Sequence, residues 1–236
     1  MFPLKDDNPT TTTAVCTVGL IVLNALVFVY QISLEAGSQD GARAAQAFIS
    51  EFGLVPCRLT GACPSAADLP SPVLSIFTSM FLHGGLFHIA GNMLYLWIFG
   101  NNVEDTLGHV RFLIFYFASG VIAALAQTAI GPDSTVPMVG ASGAISGVLG
   151  GYLLLYPRAR ILALVPLGFF MQLMEVPAVI VLGFWIFVQF FNAFLMPAHG
   201  GGGVAFFAHI GGFLAGMALV HILRVRERYR SWGKDW

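Results

Sequence analysis

The chain of 236 residues contains only 11 Lys and Arg and 12 Asp and Glu, whereas 57% of its residues are hydrophobic. Charged residues make up 10% of the chain, compared with roughly 25% in a soluble domain, and so few cannot cover a water-exposed surface. This composition excludes a disordered chain, and the net charge of -1 excludes a basic nucleic-acid-binding protein. Long continuous apolar runs favour a helical membrane protein over a transmembrane barrel.

Six apolar segments are long enough to be considered as membrane spans. We predict them at residues 14–33, 78–102, 110–130, 141–156, 176–195 and 205–223. The first has a longer apolar run than a signal peptide and lacks a strongly basic flank, so we expect a mature helix. The segment 161–174 is also apolar, but Pro166 and Pro177 interrupt it, and we interpret it as an interfacial connection. The sequence contains no internal repeats, and we interpret residues 1–236 as one all-α, polytopic membrane domain.

The distribution of Lys and Arg predicts the orientation of these spans. Six spans place both termini on one side, and nine of the eleven basic residues then lie on that side. These nine are Lys5, Arg111, Arg158, Arg160, Arg224, Arg226, Arg228, Arg230 and Lys234. The positive-inside rule therefore predicts cytoplasmic termini, including the basic tail 224–236. We expect a multi-pass protein of a bacterial inner membrane.

The first outer loop, 34–74, is too long for a simple connection, and residues 43–53 are compatible with an amphipathic helix in the membrane interface. Cys57 and Cys63 in this loop form either a local disulfide or two free thiols. Cys16 is interpreted as a small buried apolar residue of the first span. The chain has neither an HExxH sequence nor paired CxxC sequences, so we expect no metal and no small-molecule cofactor.

Polar side chains are costly inside a membrane, so each is a candidate functional residue. His88 and Asn92 share one helix face at positions i and i+4, and we place them two to four turns inside the second span. Ser142 begins the fourth span, and His209 lies about one turn into the sixth. All four are predicted in the outer half of the bilayer. For Gln189 two interpretations stay open, a hydrogen bond to another helix and one to its own backbone.

These residue types favour acyl-transfer chemistry. A Ser hydroxyl is a poor nucleophile unless a base accepts its proton, and His209 is the best candidate because an imidazole titrates near neutral pH. No Asp or Glu lies at a matching depth, so the prediction is a Ser142–His209 dyad rather than a triad. His88, Asn92 and the Ser142 N–H are candidate donors to an oxyanion. Singly, each of these residues is more often structural.

Glycine spacing predicts how the two candidate catalytic helices meet. The fourth span carries Gly143, Gly147 and Gly151, and the sixth carries Gly212 and Gly216. Such small-residue ridges let helix backbones approach closely, although they also serve generic membrane packing. The fourth span covers only about 24 Å, less than the hydrocarbon thickness. We therefore expect the loop 131–140 to dip inward and open a wet cavity at the serine.

Three motifs occur in order between residues 74 and 216. They are Gly140-Ala141-Ser142-Gly143, His83-x4-His88-x3-Asn92 and Ala208-His209-x2-Gly212-x3-Gly216. Together they resemble the rhomboid family of intramembrane serine proteases. The resemblance implies a six-helix bundle in which Ser142 is the nucleophile, His209 the general base and acid, and His88 and Asn92 parts of the oxyanion hole.

The same resemblance implies that His83, Gly140 and Gly143 support the site. It also implies that the substrates are transmembrane proteins, cleaved in or near their membrane segments and admitted past the fifth helix. The partners expected are these substrates and the lipid bilayer, and no nucleic acid.

The sequence departs from the family pattern in two places. Some members carry a Tyr four residues after the nucleophile that stacks on the catalytic His, whereas this chain has Ser146. Candidates for holding the His209 ring are then Phe206, Phe207 and Phe213. A Trp-Arg pair found in the first loop of many members is also absent. Two other functions stay open: a small transporter, and a non-catalytic scaffold that binds single-span partners.

Overall fold

Helices dominate the part of the chain that the computed structural model describes, which comprises residues 1–37, 40–63, 69–167, 170–195 and 204–224. The elements in chain order are β1 (Phe2–Asp6), α1 (Val15–Ala36), α2 (Gly41–Phe52), α3 (Pro56–Thr60), α4 (Pro72–Thr78), α5 (Leu86–Leu107), α6 (His109–Ile130), α7 (Ser142–Leu155), β2 (Arg160–Leu167), β3 (Phe170–Pro177), α8 (Ala178–Leu195) and α9 (Phe206–Leu223). Beyond Arg224, the predicted basic tail lies outside the described residues.

Several of these helices are long and apolar enough to cross a membrane. Among the described residues α1, α6, α8 and α9 meet this requirement individually, and a bent pair formed by Pro72–Phe81 and Leu86–Leu107 makes a fifth candidate. Helix α7 has 14 residues and is about 21 Å long. The chain is therefore a multi-pass helical membrane protein, and a sixth crossing through α7 stays a prediction.

The predicted second span, 78–102, is wrong as one continuous helix. A 3₁₀ turn at Ser79–Phe81 is followed by a break, and the two parts of the pair meet at 83°. Gly85 lies in this break with a φ of 155°, a conformation that residues with a side chain rarely adopt. Because α5 starts only at Leu86, His88 and Asn92 lie in its first two turns rather than two to four turns inside a span.

The apolar segment 161–174 forms strands, which the sequence analysis did not predict. Strands β1, β2 and β3 make an antiparallel sheet in that order, with Asp6 opposite Ile161 and Arg160 opposite Pro177. Pro166 lies beyond the part of β2 that pairs with β1, which agrees with the confinement of proline to sheet edges and strand ends. The pairing brings the N-terminal segment and the α7–α8 connection to one end of the bundle, called the sheet end below.

Helix α7 is the centre of the bundle. Its residues from Ala144 to Tyr152 are all buried between α5, α6 and α9. A Cβ atom on Gly216 would lie 1.9 Å from the carbonyl oxygen of Gly147, and one on Gly212 would lie 2.1 Å from that of Gly143. The backbones of α7 and α9 are therefore in direct contact, which only glycine permits.

Two glycines of α7 differ from the predicted ridge. Gly151 faces the ring of Phe115 on α6, where an added Cβ would lie 2.9 Å from that ring. Gly150 contacts α9 instead, because a Cβ there would lie 2.1 Å from the carbonyl oxygen of Phe213. A 3.6-residue helical repeat rotates successive i+4 positions around the helix, so the contact with α9 passes from Gly147 to Gly150.

The first loop packs against the connection that leads into α7. The N–H and C=O of Leu54 both pair with the backbone of Met138, at 3.0 and 2.7 Å. The N–H of Cys57 donates to the Ser134 carbonyl oxygen, and the structure contains a Cys57–Cys63 disulfide. Helix α2 covers most of the predicted amphipathic segment 43–53. The first loop thus supports the chain just before Ser142.

Candidate active site

Ser142 and His209 form a hydrogen-bonded pair between two helices. Ser142 is the first residue of α7 and His209 the fourth of α9. The distance between Ser142 Oγ and His209 Nε2 is 2.8 Å, and only 9% of His209 is exposed. The close approach of the two helix backbones allows this contact, since Gly212, about one turn after His209, lies against the carbonyl of Gly143, the residue that follows Ser142.

The second ring nitrogen of His209 is also engaged. His209 Nδ1 lies 2.8 Å from Oε1 of Gln189 on α8. An oxygen at this position accepts a hydrogen bond, so the proton belongs on Nδ1 and leaves Nε2 as the acceptor for the Ser142 hydroxyl. The bond between helices, one of the two interpretations left open for Gln189, is confirmed.

The aromatic ring packed on His209 is that of Trp185. The centroids of the Trp185 and His209 rings are 5.8 Å apart, and the Phe213 ring stacks on the Trp185 ring at 6.1 Å. Sequence reasoning proposed Phe206, Phe207 or Phe213 and missed Trp185. Trp185 and Gln189 are four residues apart and so share one face of α8, a pattern that was available in the sequence. Ser146 donates instead to the Ser142 carbonyl oxygen within α7.

Gly140 brings the chain against His88 and Asn92. An added Cβ on Gly140 would lie 2.7 Å from His88 Nε2 and 3.5 Å from Asn92 Nδ2, and its φ is 120°. Its N–H donates to the Ser79 carbonyl oxygen at 2.9 Å. Only a glycine fits this close approach and this backbone conformation. Both side chains from α5 thus lie next to the segment that precedes Ser142.

His88 and Asn92 both present N–H donors at this place. The N–H of Gly84 donates to His88 Nδ1 at 3.3 Å, which puts the ring proton on Nε2, the atom that faces Gly140. Asn92 Nδ2 is buried without a hydrogen-bond partner among the described residues. A buried amide donor without a partner is costly, and a developing oxyanion would satisfy it.

His83 lies behind His88 rather than beside Ser142. The centroids of the two imidazole rings are 5.2 Å apart at 72°, and 2% of His83 is exposed. Gln31 of α1 binds the His83 backbone in both directions, with its Oε1 accepting from the N–H at 3.0 Å and its Nε2 donating to the C=O at 3.1 Å. The sequence analysis missed Gln31. It could have been noticed because it is the second amide side chain in the first apolar segment, where polar groups are costly.

A small cavity adjoins the serine. Its volume is about 40 Å³, and its lining includes Ser79, Gly140, Ser142, Ala205 and Ala208. A site of this size holds one or a few water molecules. The cavity lies at the place where the short α7 and the preceding loop were expected to admit water.

One group of potential metal ligands occurs in the described residues, and it lies away from the serine. Cys16, Glu104 and His109 bring their ligand atoms within 4.8 Å of one another. The Glu104 carboxylate accepts from the N–H groups of Cys16 and Thr17, at 2.9 and 2.7 Å, and from the Thr17 hydroxyl. These bonds cap the start of α1, which has no side-chain cap of its own, and we interpret the group as a structural helix cap.

Comparison with known proteins identifies a family model and several relatives that match this chain. The family model for the Rhomboid domain matches residues 70–226. Rhomboid protease GluP of Bacillus subtilis is 42% identical over 78 residues, which are 33% of this chain and 15% of that protein. Mitochondrial Rhomboid protein 1 of Saccharomyces cerevisiae is 31% identical over 160 residues, 64% of this chain and 36% of the relative.

RHOMBOID-like protein 1 of Arabidopsis thaliana is 26% identical over 226 residues, 89% of this chain and 53% of the relative. The chain spans about half or less of the length of these three relatives. The matched region 70–226 contains every residue of the candidate site from His83 to His209.

Proposed function

Because the chain belongs to the rhomboid family, as the match over residues 70–226 establishes, we propose that it is an intramembrane serine endopeptidase. Its substrates would be transmembrane proteins, hydrolysed in or near their membrane segments. The observation that carries this proposal is the Ser142 Oγ to His209 Nε2 contact of 2.8 Å between two membrane helices. A serine paired in this way with a neutral imidazole is an activated nucleophile.

In the first half of the proposed reaction, Ser142 Oγ attacks the substrate carbonyl carbon while His209 Nε2 accepts the hydroxyl proton. The carbonyl oxygen becomes an oxyanion next to the N–H donors of His88, Asn92 and the Ser142 backbone. One such donor is worth about 3 kcal/mol of transition-state stabilisation. His209 then gives its proton to the departing amine nitrogen, the peptide C–N bond breaks, and an acyl-enzyme is left on Ser142.

In the second half, a water molecule replaces the amine. The cavity beside Ser142 is large enough to supply it. His209 Nε2 accepts a proton from this water as its oxygen attacks the ester carbon, and then returns the proton to Ser142 Oγ as the acyl bond breaks. The products are two peptide fragments, and both catalytic side chains regain their starting states.

The environment of the reaction follows from the helices. The protein is an integral, multi-pass membrane protein. We place its sheet end and both termini in the cytoplasm of a bacterial cell, with Ser142 near the opposite face of the inner membrane. This placement depends on the Lys and Arg distribution.

The test is reconstitution of the full chain in liposomes with a single-span protein substrate. We expect cleavage by the parent and a loss of at least about 10³-fold for Ser142→Ala and for His209→Ala. Ser146→Ala is the matched control, because its hydroxyl bonds within α7 one turn away, and it should cleave normally. A fluorophosphonate probe should form one adduct, on Ser142. Cleavage that persists in Ser142→Ala would overturn the proposal, and substrate binding without cleavage by the parent would indicate a scaffold.

A further inference from the structure

We propose that Gln189 is a positioning residue for the catalytic base, holding His209 in the tautomer that accepts the Ser142 proton. This inference rests on the proposed function. It assigns to an uncharged amide the place that a carboxylate occupies in a catalytic triad. Since Gln189 belongs to α8, the inference also makes the position of this helix a condition for activity.

The contact has the geometry that the role requires. Gln189 Oε1 lies 2.8 Å from His209 Nδ1, and 8% of Gln189 and 9% of His209 are exposed. A buried hydrogen bond that fixes one ring nitrogen as the donor leaves the other as the acceptor. Without it, the proton is free to move to Nε2, and a protonated Nε2 cannot accept the serine proton.

The amide is also suited to the charge that forms during reaction. When His209 accepts the serine proton, the imidazolium donates through Nδ1–H to the Gln189 carbonyl oxygen, a charge-assisted hydrogen bond. A carboxylate at this depth would carry a large desolvation cost in the resting enzyme. The amide dipole stabilises the transient cation without placing a permanent charge in the membrane.

A second glutamine, Gln127, binds the backbone at the first turn of α9. Oε1 of Gln127 on α6 accepts from the N–H groups of Phe207 and Ala208, at 3.1 and 3.2 Å. These bonds satisfy free donors at the start of α9 and hold the backbone that carries His209. Gln127 therefore positions the turn, whereas Gln189 positions the ring.

The packing of α8 makes the Gln189–His209 hydrogen bond depend on the position of this helix. At its sheet end, Ala178, Val181 and Leu182 are at most 3% exposed. In its other half, large side chains such as Phe187 and Phe194 are 60% and 89% exposed, and the buried residues are Gln189 and Ala193. A displacement of this half of α8 would therefore remove the oxygen from His209 Nδ1.

The test compares two variants of Gln189 with a matched change on the same helix. Gln189→Met keeps the side-chain volume but removes the acceptor, and Gln189→Glu restores an acceptor oxygen. The control is Asn192→Leu, which also replaces an amide of α8 with an apolar side chain. Activity is measured in liposomes as kcat and KM against pH, and the fluorophosphonate adduct gives the fraction of folded, active sites.

We expect Gln189→Met to lower kcat by about 30-fold with KM within a factor of about two, since wrong-tautomer variants of triads lose even more. Gln189→Glu should recover most of kcat and move the kcat profile to higher pH. The ¹⁵N signals of the His209 ring should indicate a protonated Nδ1 in the parent and a mixture in Gln189→Met. If Gln189→Met and Asn192→Leu share the parent's kcat and pH profile, the inference is wrong while the proposed function stands. An inactive parent would instead refute the proposed function.

A different region supports a second inference, which is independent of the catalytic site. We infer that the β2–β3 hairpin lies in the lipid headgroup region at the sheet end. On β3, Phe170, Met171, Leu173 and Met174 are between 41% and 76% exposed. Successive strand residues point to opposite faces, so both faces of β3 carry exposed apolar side chains, with Gln172 and Glu175 as its polar residues. Such an exposed apolar edge is an aggregation site in water.

The position and the charge of the hairpin both indicate that lipid surrounds its exposed side chains. The hairpin has no charged residue between 161 and 174, and its only described ion pair, Arg160 with Glu175 at 3.8 Å, lies where β3 leads into α8. The hairpin is thus continuous with a helix that faces lipid. The basic side chains at the base of the hairpin, Arg158 and Arg160, attract anionic headgroups. The outer edge of β3 has unpaired backbone groups, which favour the interface over the hydrocarbon core.

The test places a fluorophore on the hairpin in liposomes that contain phosphatidylglycerol. Met171→Cys in a Cys16→Ser background carries an environment-sensitive label. Asp40→Cys, which precedes α2 and has a side chain that is 80% exposed, is the water-exposed control. We expect quenching of the label at 171 by lipids with a shallow spin label and weak quenching by iodide, with the reverse at 40. Strong iodide quenching at 171 would overturn the inference, as would a label protected only at high protein-to-lipid ratios, which would indicate a second copy of the chain.

Discussion

The α7–α9 pair and helix α8 meet at His209, but they are packed in different ways. Between α7 and α9, glycines bring the two backbones into contact, and a Cβ on Gly216 would overlap the Gly147 carbonyl. On α8, a Cβ on Gly183 would meet nothing within 4 Å, and most side chains of its second half are exposed to the surroundings of the bundle.

This difference separates two requirements of the proposed catalysis. The rigid pair determines the distance between the serine and the base, because neither backbone can shift without overlap. The orientation of the imidazole instead depends on Gln189 and Trp185, which both come from α8. A site arranged in this way keeps its nucleophile and base together while the loosely packed helix controls whether the base is usable.

The largest effect is expected from an added methyl group inside the rigid pair. In Gly216→Ala the new Cβ would lie 1.9 Å from the Gly147 carbonyl oxygen, so α7 and α9 must separate. Overpacking of this kind costs about 3 kcal/mol, and we expect loss of cleavage and a lower unfolding temperature. Gly183→Ala on α8 is the matched control and should leave both unchanged. Equal effects of the two variants would contradict the difference in packing.

Helix α1 allows the comparison to be extended to a second peripheral helix. Its start is held by Glu104, which is fully buried and accepts from the Cys16 and Thr17 backbone. Glu104→Gln keeps one acceptor oxygen and leaves donors unpaired, which costs about 2 kcal/mol. We expect lower stability in denaturant titrations but unchanged kcat per active site. Reduced kcat at full labelling by the fluorophosphonate would show that α1, like α8, acts on the base.

A smaller effect is expected at the aromatic contact. Trp185→Leu removes the ring at 5.8 Å from the His209 ring, and such contacts contribute about 1 kcal/mol. We expect kcat per active site labelled by the fluorophosphonate to fall about 5-fold. Trp97→Leu is the control, since Trp97 is 60% exposed on α5. A loss equal to that of Gln189→Met would mean that the ring, rather than the amide, holds the base.

The sequence predicted the helical bundle and the Ser142–His209 contact because both depend on local patterns. Apolar runs have a length that a membrane sets, and glycines at i and i+4 line one face whatever the rest of the fold does. The prediction of one continuous helix at residues 78–102 was wrong, because the segment is apolar on both sides of Gly85. Hydropathy depends on composition, and at Gly85 only the backbone conformation changes.

Two further features could not be read from local patterns. Strand β2 pairs with β1, which is about 160 residues away along the chain, and β3 pairs with β2. An apolar run alone does not distinguish a strand from a short helix. The partners of the His209 ring come from α8, and only the rotation of that helix within the bundle decides which of its aromatic and amide residues face the site. Gln189 was recognised as unusual, but its partner was not.

The smallest effect, a pH dependence, is expected at the other end of α7. The Asp6 carboxylate accepts from Tyr152 OH and Asn102 Nδ2, at 2.8 and 2.7 Å, and burial raises the pKa of Asp6 although the Tyr152 hydrogen bond opposes this. The folded chain therefore keeps a proton that the unfolded chain loses near pH 4, so this contribution to stability is present at low pH and is lost as pH rises through the folded pKa. The substitution Asp6→Asn should remove this pH-dependent contribution. We therefore expect the variant to gain stability relative to the parent, by about 1 kcal/mol or less, as the pH rises from 4 to 7. The kcat of the two proteins should be the same at every pH. A difference that is constant over this range would contradict the raised pKa of Asp6. A kcat that changes with pH differently in the variant and the parent would show that the rigid pair does not isolate the site from its sheet end.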